Sequence, residues 1–238
     1  MVFEYFQKKV IKKVETDYTQ LKYLKYHLGS RGICSHLDAQ HAMRPEADLF
    51  TDRIVDQVRE KTDCACIIST TSRKVADINR NPDGRNNEAV LEYRDTIKNI
   101  LYNIGILRPP KEQIQGPYLH LTIHGMKDIH YGPYAIEIGT QNGQSCSPEI
   151  MKWFMSRMTV KAKELFPQIQ IVVDELFNGD ESILFHRLGD GENYQGYGHH
   201  FHTFQIEISR TLRQKHLPEI VELLSYTILQ FQDEIACS

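Results

Sequence analysis

CACIISTTSRKVADINRNPDGR, residues 64–85, passes from a short apolar, β-branched run into a loop that carries three arginines. The run CACIISTT reads as a buried strand, and NPDG supplies turn chemistry. Residues from Glu88 to Ile104 then take up a helical period. Strand, polar loop, helix is the unit from which α/β folds are built. The same alternation extends both ways. Upstream, residues 3 to 27 have helical periodicity that ends at the Gly of HLGSRG. GICS, residues 32–35, is a short strand leading straight into His36, and Pro45 to about Glu60 spaces Leu49, Ile54, Val55 and Val58 as an amphipathic helix. Downstream, a proline-rich connector, LRPPKEQIQGP, precedes the strand YLHLTIHG. YAIEIGTQ and IQIVVDE are further strands, separated by a helix that starts at Ser147-Pro148 and runs to about Leu165. Asn178 to His200 reads as a long loop, HTFQIEIS as the last strand, and residues 215–234 as a closing helix. The expected architecture is one α/β domain over residues 1–238, with a mixed, mainly parallel sheet and helices on both faces. Residues 1–30 would form a helical extension and 31–238 the core.

Composition narrows the function classes. Hydrophobic residues make up 41% and charged residues 25%, the balance of a soluble globular protein. A net charge of −3 gives no reason to expect nucleic acid or an acidic membrane surface as partner. MVFEYFQKKVIKKVE is too charged for a signal peptide, and no apolar run is long enough to span a membrane. Five cysteines without a secretory signal argue against a disulfide framework. Cys64-Ala-Cys66 lacks a second pair, so it reads as buried thiols rather than half a metal knuckle. A cytoplasmic location is expected.

Several of the 11 histidines fall near strand ends, where ligands of parallel sheets gather. His36 follows GICS and His124 ends LHLTIH. Two His and a carboxylate form a common hydrolytic zinc site, with one position left for water. Glu46 and Asp48 are the available acids, and Asp38 and His41 compete in the same loop. Glu207 shares a strand face with Gln205, opposite Phe204, Ile206 and Ile208. A carboxylate there is costly in a central strand unless paired, which suits a general base; on an edge strand it would simply face water. Guanidiniums beyond a strand suit a carboxylate, because their fork of donors matches it, or else they pair with surface acids.

Taken in order, these pieces resemble the N-formylglutamate amidohydrolase family, related in fold to zinc carboxypeptidases and aspartoacylase. The resemblance runs from about Ile33 to Arg210. SRKVADINRNPDG is similar to the family's Ser-Arg-x-x-x-Asp-x-Asn-Arg motif, and GTQNGQSCSPEI to its Gly-Thr-x-x-Gly-x-Ser-Cys-x-Pro segment. Ser35-His36 stands where the family has Pro-His-Ser-Gly, and PEADLFTDRIVD resembles its Pro-Asp-x-Asp helix start. LTIHGM and HTFQIEIS match its later His and Glu elements. The resemblance implies a phosphorylase/hydrolase-like fold and zinc-dependent hydrolysis of a small N-acylated amino acid or peptide-like substrate bearing a carboxylate. It implies His36, His124 and an acid as zinc ligands, with Asp48 ahead of Glu46, and Glu207 as base. Arg73 would polarise the carbonyl, while Asn79 and Arg80 would grip the substrate carboxylate. The His-rich tract QGYGHHFH borders this pocket and offers His202 to the substrate. Asp77 is expected to orient an arginine. Thr122 stands where the family has an acid, removing one partner for His124. A binding protein on the same fold, or a zinc hydrolase acting on an ester or other acyl group, are the alternatives.

Overall fold

Period-two alternation sets the two faces of the sheet seen in the computed structural model, which describes residues 18–108, 110 and 112–236. Its strands are β1 (Thr19–Gln20), β2 (Leu24–His27), β3 (Ser35–Ala39), β4 (Ala65–Ser69), β5 (Tyr118–Met126), β6 (Ala135–Gly139), β7 (Gln170–Val173) and β8 (Phe201–Ser209). They join in the order β1-β2-β4-β3-β5-β8-β6-β7. Pairings β3–β4, β3–β5, β5–β8 and β6–β7 are parallel, and the other three antiparallel, so the sheet is mixed and mostly parallel.

Helices cover both faces. On one side, Leu37, Leu121 and Ile206 of the sheet pack with α1 (Thr51–Thr62), α3 (Pro148–Leu165) and α6 (Leu217–Phe231). Ile54, Val55 and Val58 line the buried stripe of α1, each stabilising by roughly 1.5–3 kcal/mol on burial. Phe154 of α3 stacks on Phe204 of β8 with ring centroids 3.9 Å apart. On the other side, α2 (Asn87–Ile104) lays Tyr93, Ile97 and Leu101 against Ile67, Tyr118 and Phe201. Gly105, at φ 85°, ends α2 in a conformation glycine adopts without a Cβ clash. Ser147 caps α3, its hydroxyl oxygen accepting the Ile150 N–H at 3.3 Å.

Five local readings change. The described part of residues 3–27 is not helical: it forms β1 and β2, with buried Leu24 alternating with Lys25 as β2 pairs against β4. Residues 1–17 lie outside the described residues. The strand expected at 32–35 is β3 at 35–39, so His36 lies inside it rather than at its end. The helix expected from Pro45 begins at Thr51, because Phe50 sits at φ 77° and leaves residues 45–50 as loop. Within the Asn178–His200 tract, Ser182–Leu188 forms the short helix α4, closed by Gly189. The closing helix is divided at His216 into α5 (Arg210–Lys215) and α6, with a π-helical turn at Gln232–Ala236.

Candidate active site

β3, β4, β5 and β8 run parallel, so their carboxyl ends open on the same edge of the sheet. His124 near the end of β5 and Glu207 near the end of β8 are direct register partners. His41 follows β3 by two residues, and the loop after it curls back: the Asp48 N–H donates to the His41 carbonyl at 2.8 Å. Thr51, opening α1, fixes the loop's far end by donating both its N–H and its hydroxyl to the Asp48 carbonyl. Arg73, Asn79 and Arg80 arrive on the loop after β4. With His41, Asp48, His124 and Glu207 they line a cavity of about 280 Å³.

Three donor atoms converge there. Asp48 Oδ2 lies 3.3 Å from His124 Nδ1 and 3.5 Å from His41 Nδ1. His41 turns its Nε2 to Asp77 Oδ1 at 2.8 Å. A carboxylate only accepts, so Nε2 carries the proton and Nδ1 keeps its lone pair. That Nδ1 is buried and has no hydrogen-bond partner. An orphaned imidazole nitrogen beside a second imidazole and a carboxylate is the donor set that zinc takes in hydrolytic sites, and the Asp77–His41 contact is the outer support such ligands receive.

The charges are interlocked. Burial would raise the Asp48 carboxyl, but the neighbouring imidazoles of His124 and His41 and the Arg73 charge hold it well below the usual carboxylate range. Burial would lower His124, yet Asp48 and Glu207 together raise it. Glu207 is 6% exposed, and burial raises its carboxyl against the opposing pull of His124. β8 is a central strand flanked by β5 and β6, which disposes of a wet edge for Glu207. Arg73 donates through Nη2 to Asp48 Oδ1 at 2.8 Å, while its buried Nε is unpartnered. Asn79 is buried and accepts from the Ser182 hydroxyl at 3.3 Å. Arg80 is half exposed and pairs with Asp180 at the cavity rim.

The structure thus brings together Asp48, Arg73, Asn79, Arg80, His124 and Glu207, and leaves three expected residues elsewhere. His36 is fully buried within β3, stacked on His120 at 4.1 Å and hydrogen-bonded to the Tyr118 hydroxyl; its place beside Asp48 and His124 is taken by His41. Glu46 turns outward to Lys74 at 2.9 Å, its side chain 56% exposed. His202 points to the opposite face of β8 from Glu207, accepting from the Ser147 N–H and facing Arg187. Burial, then the Arg187 charge, pushes its imidazole down to about 3. Asp77 supports His41 rather than an arginine; Arg80 Nε is 3.9 Å from it.

One contributor, Glu137, carried no signal in the motifs. Glu137 on β6 accepts the N–H groups of Glu175, Leu176 and Phe177 at 2.8, 2.6 and 2.8 Å, and so holds the loop that forms the cavity's rim. Gln205 donates to Glu207 at 3.1 Å. His41 did carry a signal: alternation in SHLDA, with Leu37 and Ala39 apolar, extends the strand past His36 and moves its end towards Gln40 and His41.

No helix among the described residues is long and apolar enough to cross a membrane. No protein-family profile matches the chain, and no curated protein matches it in sequence. Solved structures do match. N-formylglutamate amidohydrolase from Ralstonia eutropha JMP134 superposes with a TM-score of 0.63 at 13% identity, covering 90% of this chain and 98% of that one. The gene product Atu2144 from Agrobacterium tumefaciens gives 0.59 at 15% identity, covering 88% and 94%. The resemblance read from the motifs therefore holds at the level of the fold: over nearly its whole length, this chain has the fold of an N-formylglutamate amidohydrolase.

Proposed function

We propose that the protein is a metal-dependent amidohydrolase acting on a small N-acyl amino acid or peptide-like substrate, with zinc as the metal. The observation that carries this reading is the convergence of His41 Nδ1, Asp48 Oδ2 and His124 Nδ1 beside a buried Glu207. His41, Asp48 and His124 would hold the ion, which on binding supplies Lewis acidity and an acidified water. Glu207, raised towards neutrality by burial, takes the proton of the attacking water and returns it to the leaving nitrogen as the C–N bond breaks. Arg73 lines the same cavity and would stabilise the oxygen that gains charge. Asn79 and Arg80 line the same cavity and are suited to a free carboxylate, for which Arg80 exchanges Asp180.

The test is metal analysis of the purified protein together with a hydrolysis screen of N-acyl amino acids, N-formylglutamate first because of the fold relative that bears that name. Glu207→Gln is expected to retain the metal while turnover falls by ~10²–10⁴. Absence of divalent metal uptake at neutral pH would leave a binding protein on the same fold as the better reading.

A further inference from the structure

Beneath the cavity, the sheet face under α2 is polar where a core is ordinarily apolar. Asp38, His120, Thr122 and Gln40 are buried there with Tyr93 of α2. His36, Asp38 and His120 also bring donor atoms within reach of one another. They do not form a second cation site of the same kind. The His36 and His120 rings are parallel to within 3° and stacked at 4.1 Å, and an ion cannot lie in the plane of both rings at once.

The contacts form a chain instead. His124 Nε2 meets the Thr122 hydroxyl at 3.0 Å, and that hydroxyl meets Gln40 Oε1 at 3.2 Å. Gln40 Nε2 meets the Tyr93 hydroxyl at 2.8 Å. The Tyr93 hydroxyl meets Asp38 Oδ2, which His120 Nε2 also approaches at 2.8 Å.

Proton counting fixes the direction of every link. A carboxylate has nothing to donate, so the one Tyr93 proton goes to Asp38. The Tyr93 oxygen must then accept from Gln40, which orients the amide with its NH₂ on tyrosine and its oxygen on Thr122. The Thr122 proton goes to that amide oxygen, and its oxygen is left to accept from His124. Reversing the Gln40 amide would set the Tyr93 and Asp38 oxygens against each other with no proton between them. Asp38 supports this order. Burial would raise its carboxyl, but the His120 charge and hydrogen bond hold it low and ionised.

We propose that Asp38, Tyr93, Gln40 and Thr122 form a buried, one-directional hydrogen-bond chain that fixes the proton of His124 on Nε2 and so delivers its Nδ1 lone pair to the cavity. Asp77 does the same for His41 by direct contact. The two imidazoles are thus set from opposite sides, one by an adjacent carboxylate and one by a carboxylate four links away. Thr122, Gln40, Tyr93 and Asp38 are positioning residues. This inference rests on the reading that His124 Nδ1 is a metal ligand.

The test uses the full chain, labelled with ¹⁵N-histidine and loaded with ¹¹³Cd. The expected spectrum shows cadmium coupled to Nδ1 of His124, and an Nε2–H protected from solvent exchange. Coupling to Nε2 would overturn the proposal. In parallel, zinc affinity is measured by competition with a chromophoric chelator. Thr122→Val is expected to weaken it by about 10–100-fold, the usual effect of removing an outer partner, and Thr122→Ser to restore most of it. Tyr93→Phe keeps the ring in the core but removes the central proton, and is expected to weaken zinc binding in the same direction. Unchanged affinity and unchanged His124 nitrogen signals in Thr122→Val and Tyr93→Phe, with only a lowered melting temperature, would make the network structural and overturn the proposal. Wild-type protein that takes up neither cadmium nor zinc would overturn the metal-site reading and this inference together. Metal on the wrong nitrogen overturns this inference alone.

Discussion

His36 and His41 are separated by five positions and by a complete change of environment. His36 is sealed in the sheet, its imidazole pushed well below the ordinary value by burial and then by the neighbouring His120. His41 stands at the cavity with one nitrogen anchored on Asp77 and the other free. The two alanine variants are therefore expected to separate cleanly. His41→Ala should lower metal affinity by ~10² or more while the fold persists, since it removes the ligand itself rather than an outer support. His36→Ala should keep the metal and lose about 2–4 kcal/mol of stability through the cavity left beneath His120. Metal titration and urea unfolding on both proteins check the pair, and equal metal loss in both would return His36 to the site. The acids should divide likewise. Asp48→Asn is expected to abolish tight metal binding, whereas Glu46→Gln breaks only an exposed pair with Lys74 and should change little. Asp48 was legible from its helix-start motif. His41 was not chosen because SHLDA places a charge and an imidazole inside a strand, which reads as a boundary until their partners are known. Those partners, Tyr93 and His120, lie 55 and 82 residues away along the chain.

At the scale of elements, strands and helices with strong periodicity were legible, and short segments with a loop's composition were not. The tract from Asn178 to His200 has a loop's composition, yet it carries α4 and then a tight turn built on Asp190. The Asp190 carboxylate accepts the N–H groups of Glu192, Asn193 and Tyr194 at 3.0, 3.0 and 2.9 Å and pairs with Arg94 of α2 at 2.9 Å. Burial would raise this carboxyl, but the N–H groups of Tyr194 and Glu192, with Arg94, pull it down to about 2. Its folded value is thus depressed below an unfolded value near 4. The turn's contribution is fully present above about pH 4 and is lost as pH falls from there towards 2. Allowing for solvent screening, it amounts to about 1–2 kcal/mol. Asp190→Asn should remove that amount at neutral pH and flatten the acid limb of a stability-versus-pH curve in the same window. A mutant curve parallel to the wild type through that window would rule out Asp190 as the titrating group.

Across the whole molecule, the site depends on holding the ends of β5 and β8 against the loop that carries Asp48, and one side chain spans all three. Arg213 of α5 is 5% exposed and donates to the carbonyls of Ile208 at 3.0 Å, Met126 at 3.2 Å and Leu49. Ile208 and Met126 follow Glu207 and His124 closely in sequence, and Leu49 follows Asp48. Gly125 admits this arrangement, since a Cβ at that position would collide with the guanidinium. The LTIHGM motif therefore carries two constraints, a ligand at His124 and a glycine over which Arg213 passes. The motif could be read from the sequence, but its partner could not, because Arg213 comes from a helix that had no pattern of its own. Arg213→Met keeps a long apolar stem but removes a donor from three carbonyls, two of them in buried bonds. Each omission costs about 1–3 kcal/mol, less where water enters, so a total loss of about 2–5 kcal/mol is expected. Because the tether also fixes the spacing of Asp48, His124 and Glu207, metal affinity should fall several-fold as well. Arg213→Lys should recover only part of either quantity, since an ammonium cannot reach three carbonyls through a planar fork. Urea unfolding and zinc titration of the two variants measure both effects. A stability loss with metal affinity untouched would show that the strand ends hold their spacing without Arg213, and would confine its role to the core.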